Sequence, residues 1–305
     1  MTLIRIGTRG SPLAIAQARM VADALAADGA EVSGEIVVIK TTGDKILDRP
    51  LSEVGGKGLF TKEIEAALLD GRIDCAVHSA KDLETALPAP LMLGAFLPRE
   101  DVRDAFIGRE GARLSDLAAG AIVGTASLRR QALVRRARPD LRCAVLRGNV
   151  QTRLAKLAAG DCDATLLALA GLKRLGNEGV ASEILDLERF PPALAQGAIA
   201  IEIRRDDAAM AARLAAIDHR DTAVAVAAER GFLAALDGSC RTPIAGLATV
   251  SGDRVVLTGL VATPDGAQSE SIDTEGPAGD AAALGFEAGE RLRARLGPAY
   301  NTIWG

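Results

Sequence analysis

The chain has 305 residues, of which 49% are hydrophobic and 25% are charged, and its formal net charge is −4. This length can bury a substantial core and exceeds one average domain, so we expect two or three domains. The net negative charge excludes a uniformly basic nucleic-acid-binding surface, and no apolar run is long enough to span a bilayer.

Residues 1 to 215 alternate short apolar runs with helical patterns, which is typical of α/β layers with mostly parallel sheets. The first predicted helix has Ser11 as its N-cap, Pro12 in its first turn and Gly29 after its end. The predicted strands are LIRIG, EIVVIK, IDCAVHS, LMLGAFL, AIVGT, LRCAVLRG and ATLLALA. The other predicted helices are LFTKEIEAALLDG, SLRRQALVRRARPD and NVQTRLAKLAAG.

The two halves of this region share a weak repeat. Gly7-Thr8 and Gly124-Thr125 each end a strand before a Ser-capped helix, and GRIDCAV and GDCDATL each place Gly-x-x-Asp before a strand. Either match alone is explained by the turns that ordinarily connect strands and helices in α/β proteins. Together they predict two similar α/β domains that face one another, with a cleft at the carboxyl ends of the strands.

The last third of the chain has a different pattern. From Arg220 onward we predict a helix (DTAVAVAAERGFLAALDG), a hairpin made of RVVLTGLVAT and QSESIDT around a Pro-Asp-Gly turn, and a closing helix. This order predicts a small α+β domain.

Two predicted helix starts are candidate anion sites. In IGTRGSPLA, free backbone N–H groups and the helix dipole accompany Arg9. Arg129 and Arg130 diverge by about 100 degrees on their helix, which predicts that they hold two different anions. The alternative is a solvated helix face, or a compositional bias towards arginine. Arg147 at a strand end and Arg153 on the next helix favour anion binding.

The segment VHSAKDLE follows an apolar strand, where α/β proteins place catalytic groups. Asp82 beside Lys81 is a candidate for exchanging protons with a cationic intermediate. The alternative is a capping aspartate beside a surface lysine. We interpret His78 as a partly buried structural residue rather than a catalyst.

A glycine-rich segment, LSEVGGKGLFTKE, surrounds Lys57 with Gly55, Gly56 and Gly58. It predicts either a mobile loop that covers an active site or an ordinary flexible connection.

The four cysteines show no CxxC spacing, and with two histidines in the chain we expect no metal site. Cys75 and Cys143 are predicted core residues, and flanking carboxylates should raise the pKa of Cys162. Cys240 lies beside Arg241 in a turn of small residues. The arginine favours the thiolate form of Cys240 and the small neighbours leave its sulfur accessible, although free cysteines are more often structural. We expect a cytoplasmic protein with reduced thiols.

Taken together, these segments resemble the porphobilinogen deaminase (hydroxymethylbilane synthase) family. The resemblance runs in family order from Arg5 to Gly246, and the C-terminal third matches mostly in its pattern. The segments that carry it are IGTRGSPLA, VGGKGLFTKEIE, AVHSAKD, REDVRDAF, IVGTASLRRQ, LRGNVQTRL, LAGLKRLG, QGAIAIE and GSCRTPI.

The resemblance implies a transferase of haem and tetrapyrrole biosynthesis that polymerises porphobilinogen head to tail and releases ammonia. It implies a dipyrromethane cofactor that serves as primer and is bound through a thioether to the matching Cys240. The linear product, hydroxymethylbilane, is then released by hydrolysis. The matching catalytic carboxylate is Asp82, which stabilises the azafulvene cation formed on ammonia loss and handles protons.

The resemblance also implies binding positions. Each pyrrole carries an acetate and a propionate, so a growing chain accumulates negative charge that fixed cations must balance. The matching cofactor-binding residues are Lys81, Thr125, Ser127, Arg129 and Arg130. The matching substrate-binding residues are Arg9, Ser11, Lys57, Arg147, Arg153, Arg174 and Gln196.

The fold implied is two similar α/β domains like those of two-lobed binding proteins, with a third, smaller α+β domain that carries Cys240. The predicted boundaries are residues 1–97 with 198–215, residues 103–191, and residues 220–305. We expect a monomer whose partner is the small-molecule substrate, with no nucleic-acid or membrane partner.

Some positions depart from the family pattern. Glu53 stands where a cation is expected, Ala195 where a glycine often precedes Gln-Gly, and Arg241 where a glutamine is more familiar; KDLE replaces a usual Val-Pro after the aspartate. One rival hypothesis is a non-catalytic two-lobed binding protein, which needs neither Cys240 nor Asp82. Another is a degenerate member that binds tetrapyrroles without making them, favoured only by Glu53.

Replacing Cys240 tests the covalent primer. The intact, denatured wild-type protein from cells that make porphobilinogen is expected to exceed its sequence mass by two linked pyrrole units, and Cys240→Ser should lack this excess because a thioether needs the thiol. Mass spectrometry measures both, and an unmodified wild-type mass contradicts the assignment.

Overall fold

The computed structural model describes residues 2–27, 32–45, 58–236, 242–297 and 300. The chain forms two compact units, residues 1–100 with 197–223 and residues 101–196 with 224–305. The predictions for Glu53, Lys57, Cys240 and Arg241, and for most of the glycine-rich loop, lie outside the described residues.

The helices and strands of the described chain alternate through most of its length. In chain order they are β1 (Thr2–Arg9), α1 (Pro12–Ala27), β2 (Val32–Ile39), α2 (Thr42–Lys45), α3 (Lys62–Leu69), β3 (Cys75–Ser79), β4 (Leu91–Phe96), β5 (Asp104–Gly108), β6 (Ile122–Gly124), α4 (Leu128–Ala137), β7 (Arg142–Ala144), α5 (Val150–Ala159), β8 (Ala164–Ala168), α6 (Leu169–Arg174), β9 (Glu183–Ile184), β10 (Ile199–Arg204), α7 (Ala208–Leu214), α8 (Arg220–Ala235), β11 (Ile244–Ser251), β12 (Arg254–Ala262), β13 (Ser269–Pro277) and α9 (Ala281–Leu296).

The first unit contains a five-stranded sheet in the order β2-β1-β3-β10-β4. Strand β1 pairs in parallel with β2 and β3, whereas β10 runs antiparallel to both β3 and β4. One face of the sheet packs apolar side chains against α1 and α7, and the other face packs against α3. The first predicted α/β layer is confirmed.

The second unit repeats this arrangement with the order β7-β6-β8-β5-β9. Strand β6 pairs in parallel with β7 and β8, and β5 runs antiparallel to β8 and β9. A separate antiparallel sheet, β11-β12-β13, packs against α8 and α9 around the fully buried Phe232. The fold class is therefore α/β with a third, smaller α+β part, as predicted; the exact domain boundaries stay a prediction.

Of the strands in the described parts of the chain, four were not predicted from the sequence: β5, β9, β10 and β11. In each of the five-stranded sheets the reversed strand, β5 or β10, is a short, almost wholly buried run that pairs with a strand on either side. The predicted hairpin is confirmed as β12 and β13, in the register Val261↔Glu270, but β11 extends it to three strands. Strand direction depends on the pairing partner, which local periodicity does not reveal.

The predicted repeat is present in the structure as two matching hydrogen bonds. Asp74 Oδ2 accepts the backbone N–H of Arg5 at 2.8 Å, and Asp163 Oδ2 accepts that of Ile122 at 2.7 Å. In both units the aspartate of Gly-x-x-Asp thus links the start of the third sheet strand to the strand that precedes the first helix. The two α/β sheets are equivalent element by element.

The repeat also explains Cys162. A Cβ added to Gly7 would lie 2.3 Å from Ile73 Cδ1, and a Cβ added to Gly124 would lie 2.8 Å from Cys162 Sγ. Cys162 therefore fills the core position that Ile73 fills in the first unit. The pKa of its thiol is raised, as predicted, but burial is the larger cause and the flanking carboxylates only add to it. Cys75 is fully buried, as predicted, and burial raises its pKa to about 12.

Alanine substitutions at the two repeat glycines test this equivalence. Gly71 and Gly160 have φ values of +69° and +86°, which alanine adopts at a cost. Gly71→Ala and Gly160→Ala are each expected to lower the free energy of unfolding by about 1 kcal/mol.

Chemical denaturation measures this loss. Gly179→Ala is the control, because Gly179 has neither a left-handed φ nor a neighbour within 4 Å. It should leave stability unchanged or raise it, and an equal loss in all three variants contradicts the backbone argument.

Candidate active site

A small cavity of about 60 Å³, lined by both polar and apolar side chains, lies at the carboxyl ends of β1 and β3 in the first unit. This is where α/β proteins place binding groups. The polar side chains that line it are Arg9, Ser11, Gln17, Thr61, His78, Ser79 and Asp82. The cavity therefore brings together three of the residues predicted for the site: Arg9, Ser11 and Asp82.

The start of α1 forms one wall of this cavity. Ser11 Oγ accepts the backbone N–H of Ala14 at 3.2 Å, which confirms Ser11 as the N-cap. The hydroxyl of the buried Thr8 donates to the carbonyl of Ala14 at 3.2 Å, so the turn between β1 and α1 is fixed. The guanidinium of Arg9 lies 4.0 Å from the centre of the Phe60 ring, a cation–π distance.

Asp82 ends a short 3₁₀ turn that follows β3 directly. The N–H of Ala80 donates to the carbonyl of Ala198 at 3.0 Å, and Gln17 Nε2 donates to Ser79 Oγ at 2.9 Å. The turn is thus held from two sides, while the side chain of Asp82 itself is exposed. A fixed backbone with an accessible carboxylate suits a group that must meet a reacting substrate.

In the second unit, the start of α4 has the equivalent cap. Ser127 Oγ accepts the N–H of Arg130 at 3.4 Å, and Thr125 Oγ1 accepts the N–H of Ser127 at 3.2 Å. Ser127 is the N-cap, as predicted. The hydroxyls of both residues are therefore engaged with the backbone of this helix start.

Arg129 and Arg130 are buried, with 5% and 6% of their surface exposed, which excludes a solvated helix face. One N–H of each donates to Asp104, to Oδ2 and Oδ1 respectively, both at 2.7 Å. A second N–H of each donates to a backbone carbonyl, of Pro191 and of Leu166. Within the protein their long side chains converge on one carboxylate, and the prediction that they hold two different anions stays a prediction.

Asp104 is the charged centre of this cluster and is fully buried. Burial by itself raises the pKa of a carboxyl, but the charges of Arg129 and Arg130 outweigh it, and the pKa of Asp104 lies far below its usual range. Burial is also the main reason why the pKa of Arg129 is lowered. Two guanidiniums around one carboxylate leave a net positive charge.

The same cluster contains two N–H groups that have no hydrogen-bond acceptor among the described residues. The Nε atoms of Arg129 and Arg130 are buried and have no hydrogen-bond partner among the described residues. A buried donor without an acceptor is costly. Together with the excess positive charge, these two N–H groups fit an anionic ligand such as a carboxylate.

Gln196 is fully buried beside this cluster. Its Nε2 donates to Asp104 Oδ1 at 2.9 Å and to the carbonyl of Val102 at 2.7 Å. Its amide nitrogen thus hydrogen-bonds Asp104 in this structure, and the contact with substrate that we expect for Gln196 stays a prediction.

The other predicted basic residues lie on separate elements of the described chain. Arg147 is in the loop after β7, Arg153 is on α5, Arg174 ends α6, and Lys81 precedes Asp82; all four are half-buried. Arg153 Nε donates to the carbonyl of Gly148 at 2.9 Å, which places it beside the loop that carries Arg147.

Asp104 is the residue that the sequence analysis missed. It lies in REDVRDAF, at the start of the fully buried strand β5. The signal that could have identified Asp104 is an acidic residue at the start of an apolar segment. Such a carboxylate needs a buried cation as partner, and the consecutive Arg129 and Arg130 are candidates.

Among the described residues, no helix combines the length and apolar character that crossing a bilayer requires. Nor, within that part of the chain, do three or more His, Cys, Asp or Glu side chains gather so that they could hold a metal ion.

Comparisons with known proteins give a consistent result. The family model described as "Porphobilinogen deaminase, dipyromethane cofactor binding domain" matches residues 4–212, and "Porphobilinogen deaminase, C-terminal domain" matches residues 223–294. A porphobilinogen deaminase of Nitrobacter hamburgensis is 60% identical over 305 residues, which are 99% of this chain and 96% of the relative.

Two solved structures are similar in part. The methionine-binding protein MetQ is 15% identical, with a TM-score of 0.46, over 70% of this chain and 89% of that one. The periplasmic VFT2 domain of Bordetella pertussis BvgS is 16% identical, with a TM-score of 0.41, over 70% of this chain and 86% of that one.

Asp104→Asn tests the charged cluster. It is expected to lower the free energy of unfolding by about 3 kcal/mol at neutral pH, because it leaves two buried guanidiniums without their counter-charge. The pKa of Asp104 is lowered by folding, so its charge stabilises the fold above the ordinary value of 3.8, and this contribution fades as the pH falls below it. Urea denaturation should therefore show a constant gap to wild type near neutral pH and a shrinking gap in acid.

The control is Asp140→Asn. Asp140 forms a pair with Arg138 that is partly exposed, so its replacement should cost much less. Equal losses in the two variants contradict the role given to burial at Asp104.

Proposed function

Because the chain belongs to the porphobilinogen deaminase family, we propose that Asp82 is its catalytic carboxylate and that Arg129 and Arg130 bind carboxylates of a dipyrromethane cofactor held by Cys240. The family activity is that of a transferase, which polymerises porphobilinogen with release of ammonia on a covalently bound primer and then releases the linear tetrapyrrole by hydrolysis. The cofactor supplies the free pyrrole end to which each unit is added.

The observation that supports this proposal is the unbalanced charge around Asp104. Two buried guanidiniums share one carboxylate, and each has a buried Nε–H without an acceptor. A cofactor built from two pyrroles carries acetate and propionate groups, which provide the missing anions. Buried arginines that are already oriented lose little conformational entropy when such an anion binds.

Thr125 and Ser127 contribute to the same binding region by fixing the start of α4. The hydroxyl of Ser127 caps the helix, the hydroxyl of Thr125 accepts the N–H of Ser127, and the helix start directs its positive dipole towards a bound anion. Lys81, one residue before Asp82, adds a cation in the first unit. These residues are our proposed cofactor contacts besides the arginine pair.

Asp82 is suited to the catalytic role by its exposure and its fixed backbone. Loss of ammonia leaves positive charge on the substrate, and a nearby carboxylate stabilises that charge by Coulomb attraction. After the new carbon–carbon bond has formed, the same carboxylate accepts the proton that leaves the attacked pyrrole carbon, and this loss restores aromaticity. Both tasks need a carboxylate that reaches the substrate, and the cavity beside Asp82 gives access.

The remaining predicted residues form the proposed substrate-binding set. In the first unit, Arg9 and the capped helix start at Ser11 line the cavity with Asp82, where they provide donors for a substrate carboxylate. In the second unit, the proposed cations are Arg147, Arg153 and Arg174, with Gln196 as a further polar contact. Lys57 completes the set.

In the proposed domain division, each of the three domains carries one of the proposed functional groups. Residues 1–97 with 198–215 carry Asp82, residues 103–191 carry the arginine pair, and residues 220–305 carry Cys240. The third part has its own three-stranded sheet and an apolar core around Phe232 that is built mostly from its own residues, which supports its treatment as a separate domain.

Asp82→Asn tests the catalytic assignment. The variant is expected to keep the added mass of the cofactor but to lose turnover of porphobilinogen by at least about 100-fold, because an amide neither balances a cation nor accepts a proton. Intact mass and a tetrapyrrole-formation assay measure the two properties.

Asp23→Asn is the matched control, since Asp23 is an exposed aspartate on α1 of the same unit. It should retain both mass and turnover. Near-normal turnover of Asp82→Asn, in protein that carries the cofactor, removes Asp82 from this role.

A further inference from the structure

A histidine and a glutamate form a buried pair beside the cavity of the first unit. His78 Nε2 lies 3.1 Å from Glu202 Oε2, and the two side chains are 5% and 0% exposed. His78 is on β3 and lines the cavity together with Asp82, whereas Glu202 is on the neighbouring strand β10. In the register of these strands, Ala200 lies opposite His78 and Glu202 opposite Ala76, so the pair is diagonal on one face of the sheet.

The surroundings of this pair are acidic. Glu65 on α3 is raised in pKa first by burial and further by the charges of Glu202 and Glu84, whereas a hydrogen bond from Thr61 and the imidazole of His78 oppose the shift. The second carboxylate oxygen of Glu202, Oε1, is buried and has no hydrogen-bond partner among the described residues. The carboxylates of Glu202 and Glu65 therefore lie near one imidazole beside the cavity, which Arg9 lines from β1.

The second unit shows what the same sheet positions contain when no such pair is present. Strands β3 and β8 align through Asp74 and Asp163, so His78 corresponds to Leu167. Glu202 lies opposite Ala76 on β3, and the residue in the matching place on β5 is Ile107, opposite Thr165 on β8. Leu167 and Ile107 are each 4% exposed and belong to one apolar cluster.

The fold therefore does not need a polar pair at this place. Burial of an imidazole and a carboxylate carries a desolvation cost, and well-packed apolar residues in place of a buried charged pair are often neutral or stabilising. An equivalent sheet in the same chain uses leucine and isoleucine for the same packing. This comparison favours a role for the pair in the first unit other than stability, which the variants below test.

We propose that His78, oriented by Glu202, is a positioning residue for the chemistry of Asp82. The inference rests on the proposed function of Asp82. A carboxylate partner fixes the orientation and tautomer of the imidazole, and the protonation state of the pair sets the charge of the cavity wall. Asp82 must stabilise a cation and accept a proton beside that wall. A change in the charge of the wall therefore alters turnover and the dependence of turnover on pH.

The test exchanges the pair for the residues of the second unit. The double variant His78→Leu/Glu202→Ile is expected to unfold at the same urea concentration as wild type or a higher one, and to keep the cofactor mass. Its kcat for tetrapyrrole formation should fall by about 10- to 100-fold, with a much smaller change in KM, because the reacting groups are displaced rather than removed. The pH profile of kcat should also change shape.

A second variant, Glu202→Gln, keeps the size and a hydrogen-bonding oxygen but removes the charge. It is expected to retain more activity than the double variant and still to change the pH profile. If the double variant does not fold, this variant decides: an unchanged kcat and pH profile overturns the proposal, and a changed profile with folded, loaded protein supports it.

The outcomes separate this inference from the proposed function. Wild-type kcat and pH profile in the double variant overturn the role of His78, as does a lower unfolding midpoint with wild-type kcat, which assigns the pair to stability. If Asp82→Asn is inactive at the same time, the proposed function still stands. If Asp82→Asn is active, the role of Asp82 fails whatever the double variant does.

Discussion

One buried carboxylate shared by two arginines is the interaction on which the second unit depends. Arg129 and Arg130 donate to different oxygens of Asp104, and a second terminal nitrogen of each donates to the carbonyl of Pro191 and of Leu166, respectively. This joins α4 to β5, to β8 and to the segment that precedes β10. Because one carboxylate does not neutralise two guanidiniums, the cluster keeps a net positive charge in the interior of this unit.

A second buried carboxylate connects this cluster to the C-terminal sheet. Glu229 on α8 accepts the backbone N–H groups of Ala195 and Ala248, and Ala195 precedes Gln196, which bonds Asp104. Ala195 has a φ of +61°, a conformation that costs an alanine about 1 kcal/mol or more and that glycine adopts freely. This explains why a glycine is the more familiar residue there, and why the turn needs the bond from Glu229. Helix α8 then leads into the segment that carries Cys240.

The two α/β sheets have the same topology but place their buried polar groups differently. Asp104, opposite Ala168 on β8, corresponds to Ile199, opposite Ser79 on β3. Each unit thus carries buried charge at positions where the other is apolar. The apolar core specifies the scaffold in both, and the polar substitutions provide chemistry, in agreement with the general separation of fold from site.

Sequence patterns by themselves determined the local features of this protein. The serine caps at Ser11 and Ser127, the Gly-x-x-Asp repeat and the β12–β13 hairpin follow from residues only a few positions apart. The order of motifs indicated the family and, through it, Asp82 as the candidate catalytic carboxylate. Only the tertiary structure decided the direction of β5 and β10 and the convergence of the arginine pair on Asp104, which lies 25 and 26 residues away from the two arginines. These depend on which strands pair and on which charges are buried together, and such contacts join residues whose separation leaves no local periodicity or spacing.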